Sequence, residues 1–180
     1  NQIHLKTLRD AFATVMPLYI LAGLIVLLNN TVFKWIFEGD TLTKFQYWGI
    51  TIANGTLSIS GIIIAVMVGY FLAKNRDFEN PLAASMLSLV SLIVMMPNTV
   101  SAVPDGAKDA VNISGVLSFN NTGTGAMFAG VIVAIIATEL FIKLSNVKAL
   151  QINLGDNIPP AVGKSFSVLL PVMTVISLFG

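Results

Sequence analysis

The sequence contains no cysteine and one histidine, His4, and only 11% of its 180 residues are charged. Each shortage excludes something. Without cysteine there is no disulfide framework, thiolate metal site or thiol nucleophile. Soluble domains carry about 25% charged residues, so this chain lacks the polar shell that a soluble fold of its length needs. Ten basic and nine acidic residues leave a formal charge of +1, which provides no electrostatic case for a nucleic-acid partner. No cofactor or metal site is expected. A lone histidine in a charged lead, without a sheltered pocket or partners, reads as a surface or interfacial group rather than a phosphoryl acceptor or general base.

Apolar residues make up 55% of the chain. Five segments stand out: Ala11 to Leu28, Trp48 to Ala73, Pro81 to Met96, Ala126 to Thr138, and Ser165 to Gly180. Uncharged runs of roughly 18 residues or more read as membrane-spanning helices. The expected fold is therefore all-α, a polytopic transmembrane bundle of about five spans. The first run is too long for a signal peptide and lacks a small-residue cleavage site. Before it, Leu5, Leu8 and Phe12 share one helical face with Lys6 and Arg9 near the other. That pattern fits either an amphipathic helix at the interface or a polar start to the first span. Asn80-Pro81 reads as a helix start, since Asn caps and Pro suits the first turn. Met96-Pro97-Asn98 reads as the stop. Pro17 and Pro171 lie inside apolar segments and are expected to kink them.

The ten basic residues set an orientation. With a cytoplasmic N-terminus, Lys6, Arg9, Lys74, Arg76, Lys143, Lys148 and Lys164 fall inside, against Lys34, Lys44 and Lys108 outside. Seven against three favours that arrangement. Five spans then leave Gly180 outside within an unfinished apolar run, so the chain reads as part of something longer.

Few residues carry candidate chemistry. Glu139, at the inner end of the fourth segment, reads as an interfacial pair with Lys143 at i, i+4; a pathway-lining role is the alternative. Gly123-Thr124-Gly125 lacks the third glycine and the βαβ setting of a dinucleotide fingerprint. Gly125, Ala126, Ala129 and Gly130 form a small-residue face suited to close helix packing. The polar stretch Asn120, Asn121, Thr122, Gly123 and Thr124 has a second reading, as irregular backbone entering the membrane and lining a cavity. Asn54-Gly55-Thr56 interrupts the second run, either as a broken turn or as another polar patch facing a substrate. Trp35, Tyr47 and Trp48 fit an interfacial aromatic belt.

A longer pattern narrows this reading. Ile158-Pro159-Pro160-Ala161-Val162-Gly163-Lys164-Ser165-Phe166, continuing to Leu169-Leu170-Pro171, resembles the V-P-P-x-V-x-x-S-F-x-x-L-x-P signature of enzyme IIC in the lactose/cellobiose/chitobiose phosphotransferase family. Ile158 stands where Val is usual, and Gly155 where Pro is common. His4-Leu5, Leu8 to Phe12, Met16-Pro17, Leu27 to Asn30, Asn54 to Leu57 and Asn120 to Phe128 are similar to the family's opening and later turns.

The resemblance implies a bacterial cell-membrane permease. Such a permease carries a β-linked disaccharide, cellobiose- or diacetylchitobiose-like, for phosphorylation by a cytoplasmic enzyme IIB. It implies a homodimer in which residues 1–180 are the N-terminal scaffold and interface half. The histidine and glutamate that contact the reactive hydroxyl would belong to the C-terminal half, so no complete catalytic site is expected here. Sugar-binding candidates are Asn120, Asn121, Thr122, Gly123, Thr124 and Gly125, then Asn54, Gly55 and Thr56. An ion-coupled secondary transporter and a non-catalytic membrane assembly subunit are the competing classes.

Overall fold

The computed structural model describes residues 2–104, 106, 108–152, 163 and 166–180. The Pro-Pro signature from Ile158 to Val162, with Gly155, Lys164 and Ser165, lies outside the described residues.

Helix α1 (Gln2–Leu27) continues through a π-helical turn, Leu28–Val32, into the short α2 (Phe33–Ile36). Helices α3 (Gly39–Asn54) and α4 (Ser60–Asn75) follow, then α5 (Pro81–Val94). A two-stranded antiparallel hairpin pairs β1 (Thr99–Ala102) with β2 (Val111–Ser114), Thr99 opposite Ser114. The chain re-enters the bundle through α6 (Phe119–Thr122), a 3-10 turn at Thr124–Ala126 and α7 (Met127–Ser145), and ends in α8 (Leu169–Phe179). Among the described residues, three helical stretches are long and apolar enough to cross a bilayer: Gln2–Ile36, Gly39–Asn75 and Thr124–Ser145. α5 and α8 are shorter apolar helices; at 1.5 Å per residue, α5 rises about 21 Å.

Several sequence expectations are refined. Of the two readings of the lead, the structure has the polar start: α1 is unbroken from Gln2, through Pro17. The second apolar run is two helices, because the Asn54-Gly55-Thr56 interruption ends α3 and a 3-10 turn at Leu57–Ile59 precedes α4. The fourth helix passes Thr138 and ends at Ser145, which places Glu139 inside it. Asn80 caps α5 by accepting from the Ala83 amide at 3.1 Å. Pro171 is the third residue of α8, and the helical residues Phe166 and Ser167 before it are separated from α8 by a turn at Val168.

α4 is the central element, packed against α1, α5 and α7. Its mostly apolar faces bury Ile64, Ala65, Val68 and Leu72 completely. One core cluster joins these to Ala11 and Val15 of α1, Leu92 of α5, and Val133 and Ala134 of α7. A second, toward the opposite end, gathers Ala73, Ala84, Leu87, Ala137, Phe141 and Val175. Glycine permits the close crossing of α4 and α7. A Cβ on Gly130 would lie 2.5 Å from the Gly61 carbonyl oxygen, and one on Gly61 would lie 2.9 Å from Ala126 Cβ. About two turns farther along α7, buried hydroxyls tie it to α5, with Ser88 and Thr138 3.0 Å apart.

Candidate functional site

The two polar stretches singled out in the sequence meet in space. Thr122, buried at 3% exposure, donates its hydroxyl to the Ser58 carbonyl at 2.6 Å. The Ser58 hydroxyl in turn donates to Asn54 Oδ1 at 3.2 Å. Ser118 starts α6 by accepting from the Asn120 amide at 3.2 Å. Gly123 is confined: an added Cβ would sit 2.9 Å from the Phe119 carbonyl oxygen and 3.5 Å from those of Leu57 and Ser58. Backbone and hydroxyl contacts thus bind the α3–α4 joint to the turn that opens α7.

Two clefts flank this knot. One, of about 390 Å³, is lined by Leu57, Ser58, Phe119, Asn120, Gly123, Thr124 and Gly125. The other, of about 340 Å³, lies between the end of α5 and the start of α7, with Met95, Met96, Asn120, Asn121, Gly125 and Ala129 among its walls. Asn120 and Gly125 border both. Of the nine candidate residues, Asn120, Asn121, Thr124 and Gly125 therefore face open space, and the buried Gly123 borders the first cleft. Thr122 is consumed by its bond to Ser58. Thr56 turns back on α3, donating to the Ile52 carbonyl at 2.7 Å. Asn54, Gly55 and Thr56 border neither cleft. Ser58 and Phe119 were not singled out in the sequence; Ser58 follows Asn54-Gly55-Thr56 directly, the one local signal that pointed to it.

The small-residue face divides. Ala126 and Gly130 pack on Gly61, whereas an added Cβ on Gly125 would meet nothing within 4 Å, and Ala129 is exposed on the cleft side. Amides, two hydroxyls and glycine backbone beside Phe119 and two methionines, with no charged side chain in either lining, suit an uncharged ligand rich in hydroxyl groups. Such pockets combine apolar walls with a few placed polar groups.

At the other end of α7, Glu139 finds a partner that the sequence did not suggest. Its Oε1 accepts from Arg76 Nε at 3.1 Å and Nη2 at 2.5 Å, and His4 Nε2 lies 3.6 Å away. The expected i, i+4 pair with Lys143 is replaced by this link between α7 and the α4–α5 turn. In that turn Asp77 takes the left-handed conformation, φ 53°, which Asp tolerates better than most residues. Close by, Asn75 donates to the buried Thr7 hydroxyl of α1 at 3.0 Å. These groups fasten three elements together, and His4 acts within that fastening.

Comparison with known proteins agrees with this architecture. Residues 9–180 match the family described as "Phosphotransferase system, EIIC". The chain is 31% identical to the oligo-beta-mannoside-specific EIIC component of Bacillus subtilis, over 99% of this chain and 39% of that protein. It is 31% identical to the cellobiose-specific EIIC component of Geobacillus stearothermophilus, over 98% and 39% respectively. The crystal structure of the transporter ChbC, the IIC component of the N,N'-diacetylchitobiose-specific phosphotransferase system, superposes with a TM-score of 0.82 at 25% identity. That match covers 99% of this chain and 42% of ChbC. The chain thus spans about two-fifths of the length of these relatives. By its sequence and its fold, the chain belongs to the membrane-integral phosphotransferase system EIIC family.

Proposed function

We propose that this chain is the N-terminal scaffold half of a sugar permease that translocates a β-linked disaccharide across the bacterial cell membrane for phosphorylation by a cytoplasmic enzyme IIB. The observation that carries the proposal is the family match over residues 9–180. Relatives named for cellobiose, oligo-beta-mannoside and diacetylchitobiose give the sugar class. The packing fits a scaffold: glycine crossings and buried hydroxyls hold α4, α5 and α7 together, and among the described residues no carboxylate is buried in the core to bind a proton or ion. In this reading the clefts around Asn120 form one wall of the sugar path, completed by the C-terminal half. The permease is a homodimer with a cytoplasmic N-terminus, in line with the excess of lysine and arginine on that side.

Uptake by membrane vesicles carrying the full-length permease tests this reading. The expected result is saturable uptake of cellobiose or diacetylchitobiose that requires phosphorylated enzyme IIB and survives dissipation of the proton gradient. Uptake that proceeds without enzyme IIB and collapses with the gradient would make the protein an ion-coupled transporter instead.

A further inference from the structure

The hairpin made by α1–α2 and α3 carries an apolar cleft that has no part in the proposed sugar path. It lies between α2 and α3, holds about 420 Å³, and is lined by Phe33, Lys44, Phe45 and Trp48. Phe33 and Phe45 have ring centroids 5.4 Å apart, and Phe37 stacks on Phe45 at 4.4 Å with an interplanar angle of 8°. Phe45 and Trp48 nevertheless remain 40% and 51% exposed. No amide or hydroxyl side chain lines the cleft, which sets it apart from the clefts around Asn120 and makes it a poor sugar site.

The charge pattern fixes the depth of this cleft in the bilayer. From Ala11 to Phe33 the chain has no charged residue, and the next is Lys34. From Phe45 to Ala73 it again has none, and the residue before is Lys44. Each uncharged run therefore ends on a lysine directly beside a phenylalanine of the cleft. The carboxylates of Glu38, just before α3, and Asp40, in its first turn, lie beyond both lysines. Along α3, Trp48 is one helical turn deeper than Lys44, about 6 Å. From water inward the order is carboxylates, ammonium groups, then the Phe33, Phe45 and Trp48 rings that line the cleft, while Phe37, stacked on Phe45, lies in the chain between Lys34 and Glu38. Lysines with apolar stems reach to headgroup level, and tryptophan favours the zone just inside it.

We propose that this cleft binds a phospholipid with a net negative headgroup. One acyl chain packs against Phe33, Phe45 and Trp48, and the headgroup phosphate sits at the Lys44 ammonium, with Lys34 at the same depth. Charge complementarity argues for the anionic lipid, because the ammonium groups are the charges nearest the rings and the carboxylates lie farther out.

Native mass spectrometry of the full-length permease, released from bilayers of equimolar phosphatidylglycerol and phosphatidylcholine, tests the site. The wild type is expected to retain phosphatidylglycerol over phosphatidylcholine by threefold or more. Lys44→Gln should lower that ratio at least threefold, whereas Lys108→Gln, in the connection between β1 and β2, should leave it unchanged. Equal retention of the two lipids by the wild type, or equal behaviour of the two variants, would overturn the proposal. So would efficient disulfide cross-linking of Trp48→Cys between two permease copies in a background without other cysteines, because a second copy would then cover the cleft.

Discussion

Replacing Gly130 by alanine isolates the close crossing of α4 and α7. The new Cβ would lie 2.5 Å from the Gly61 carbonyl oxygen and 3.3 Å from Ile64 Cγ2. The first neighbour is backbone within α4 and has no rotamer through which to withdraw, so the helices must separate by a few tenths of an ångström or more. Separation loosens the layer of Ile64, Ala65, Val133 and Ala134. Overpacking of this kind costs about 1–3 kcal/mol, and the helix preference of alanine over glycine returns about 1 kcal/mol. The expected net loss is up to about 2 kcal/mol, larger for Gly130→Leu. Gly23 provides the control: it is also helical, but a Cβ there meets nothing within 4 Å. Gly23→Ala should be neutral or stabilising by up to about 1 kcal/mol. Thermal unfolding of the full-length permease in detergent compares the two variants. Equal midpoints would refute the claim that α4 and α7 depend on glycine for their approach.

The remaining expectations are local. Arg76→Ala should destabilise the protein by about 0.5–1 kcal/mol by leaving the partly exposed Glu139 without its guanidinium partner, whereas Lys143→Ala should change the unfolding midpoint little; the reverse order would restore the i, i+4 pair. A double-mutant cycle of Ser88→Ala and Thr138→Val, read by the same unfolding assay, should give a coupling of about 0.6 kcal/mol, the usual size for hydrogen bonds between membrane helices. Asn120→Ala should weaken disaccharide binding by the full-length permease in equilibrium binding assays by about fivefold or more, the loss of one hydrogen bond of about 1 kcal/mol. Its unfolding midpoint should match that of the wild type, because Asn120 bonds to Ser118 through its backbone amide and its exposed side chain borders both clefts.

Local chemistry made much of the fold legible. Asn80-Pro81 marked the start of α5, and Asn54-Gly55-Thr56 marked the break that ends α3. What escaped was non-local. Glu139 had a lysine at helical spacing, and nothing in the sequence indicated that Arg76, 63 positions away, would reach it first. Gly125, Ala126, Ala129 and Gly130 read as one packing face, yet the 3-10 turn at Thr124–Ala126 rotates Gly125 away from Gly61. The lower end of α3 was missed because Asp40 and Lys44 made Gly39 to Tyr47 look like a loop; these charges occupy the solvent-side turns of the helix. The hairpin of β1 and β2 has only a short local signature: alternation in Thr99-Val100-Ser101-Ala102, then Pro104-Asp105-Gly106, a turn-forming sequence. The meeting of the two polar stretches through Thr122 and Ser58 required the structure.

Binding of a disaccharide panel to the full-length permease and to residues 1–180, side by side in detergent, tests the central claim most directly. The account predicts that the full-length protein binds cellobiose or diacetylchitobiose in preference to maltose, and that residues 1–180 alone bind none of them. Saturable binding by residues 1–180 alone would contradict the scaffold assignment, and a full-length protein that prefers maltose would contradict the sugar class.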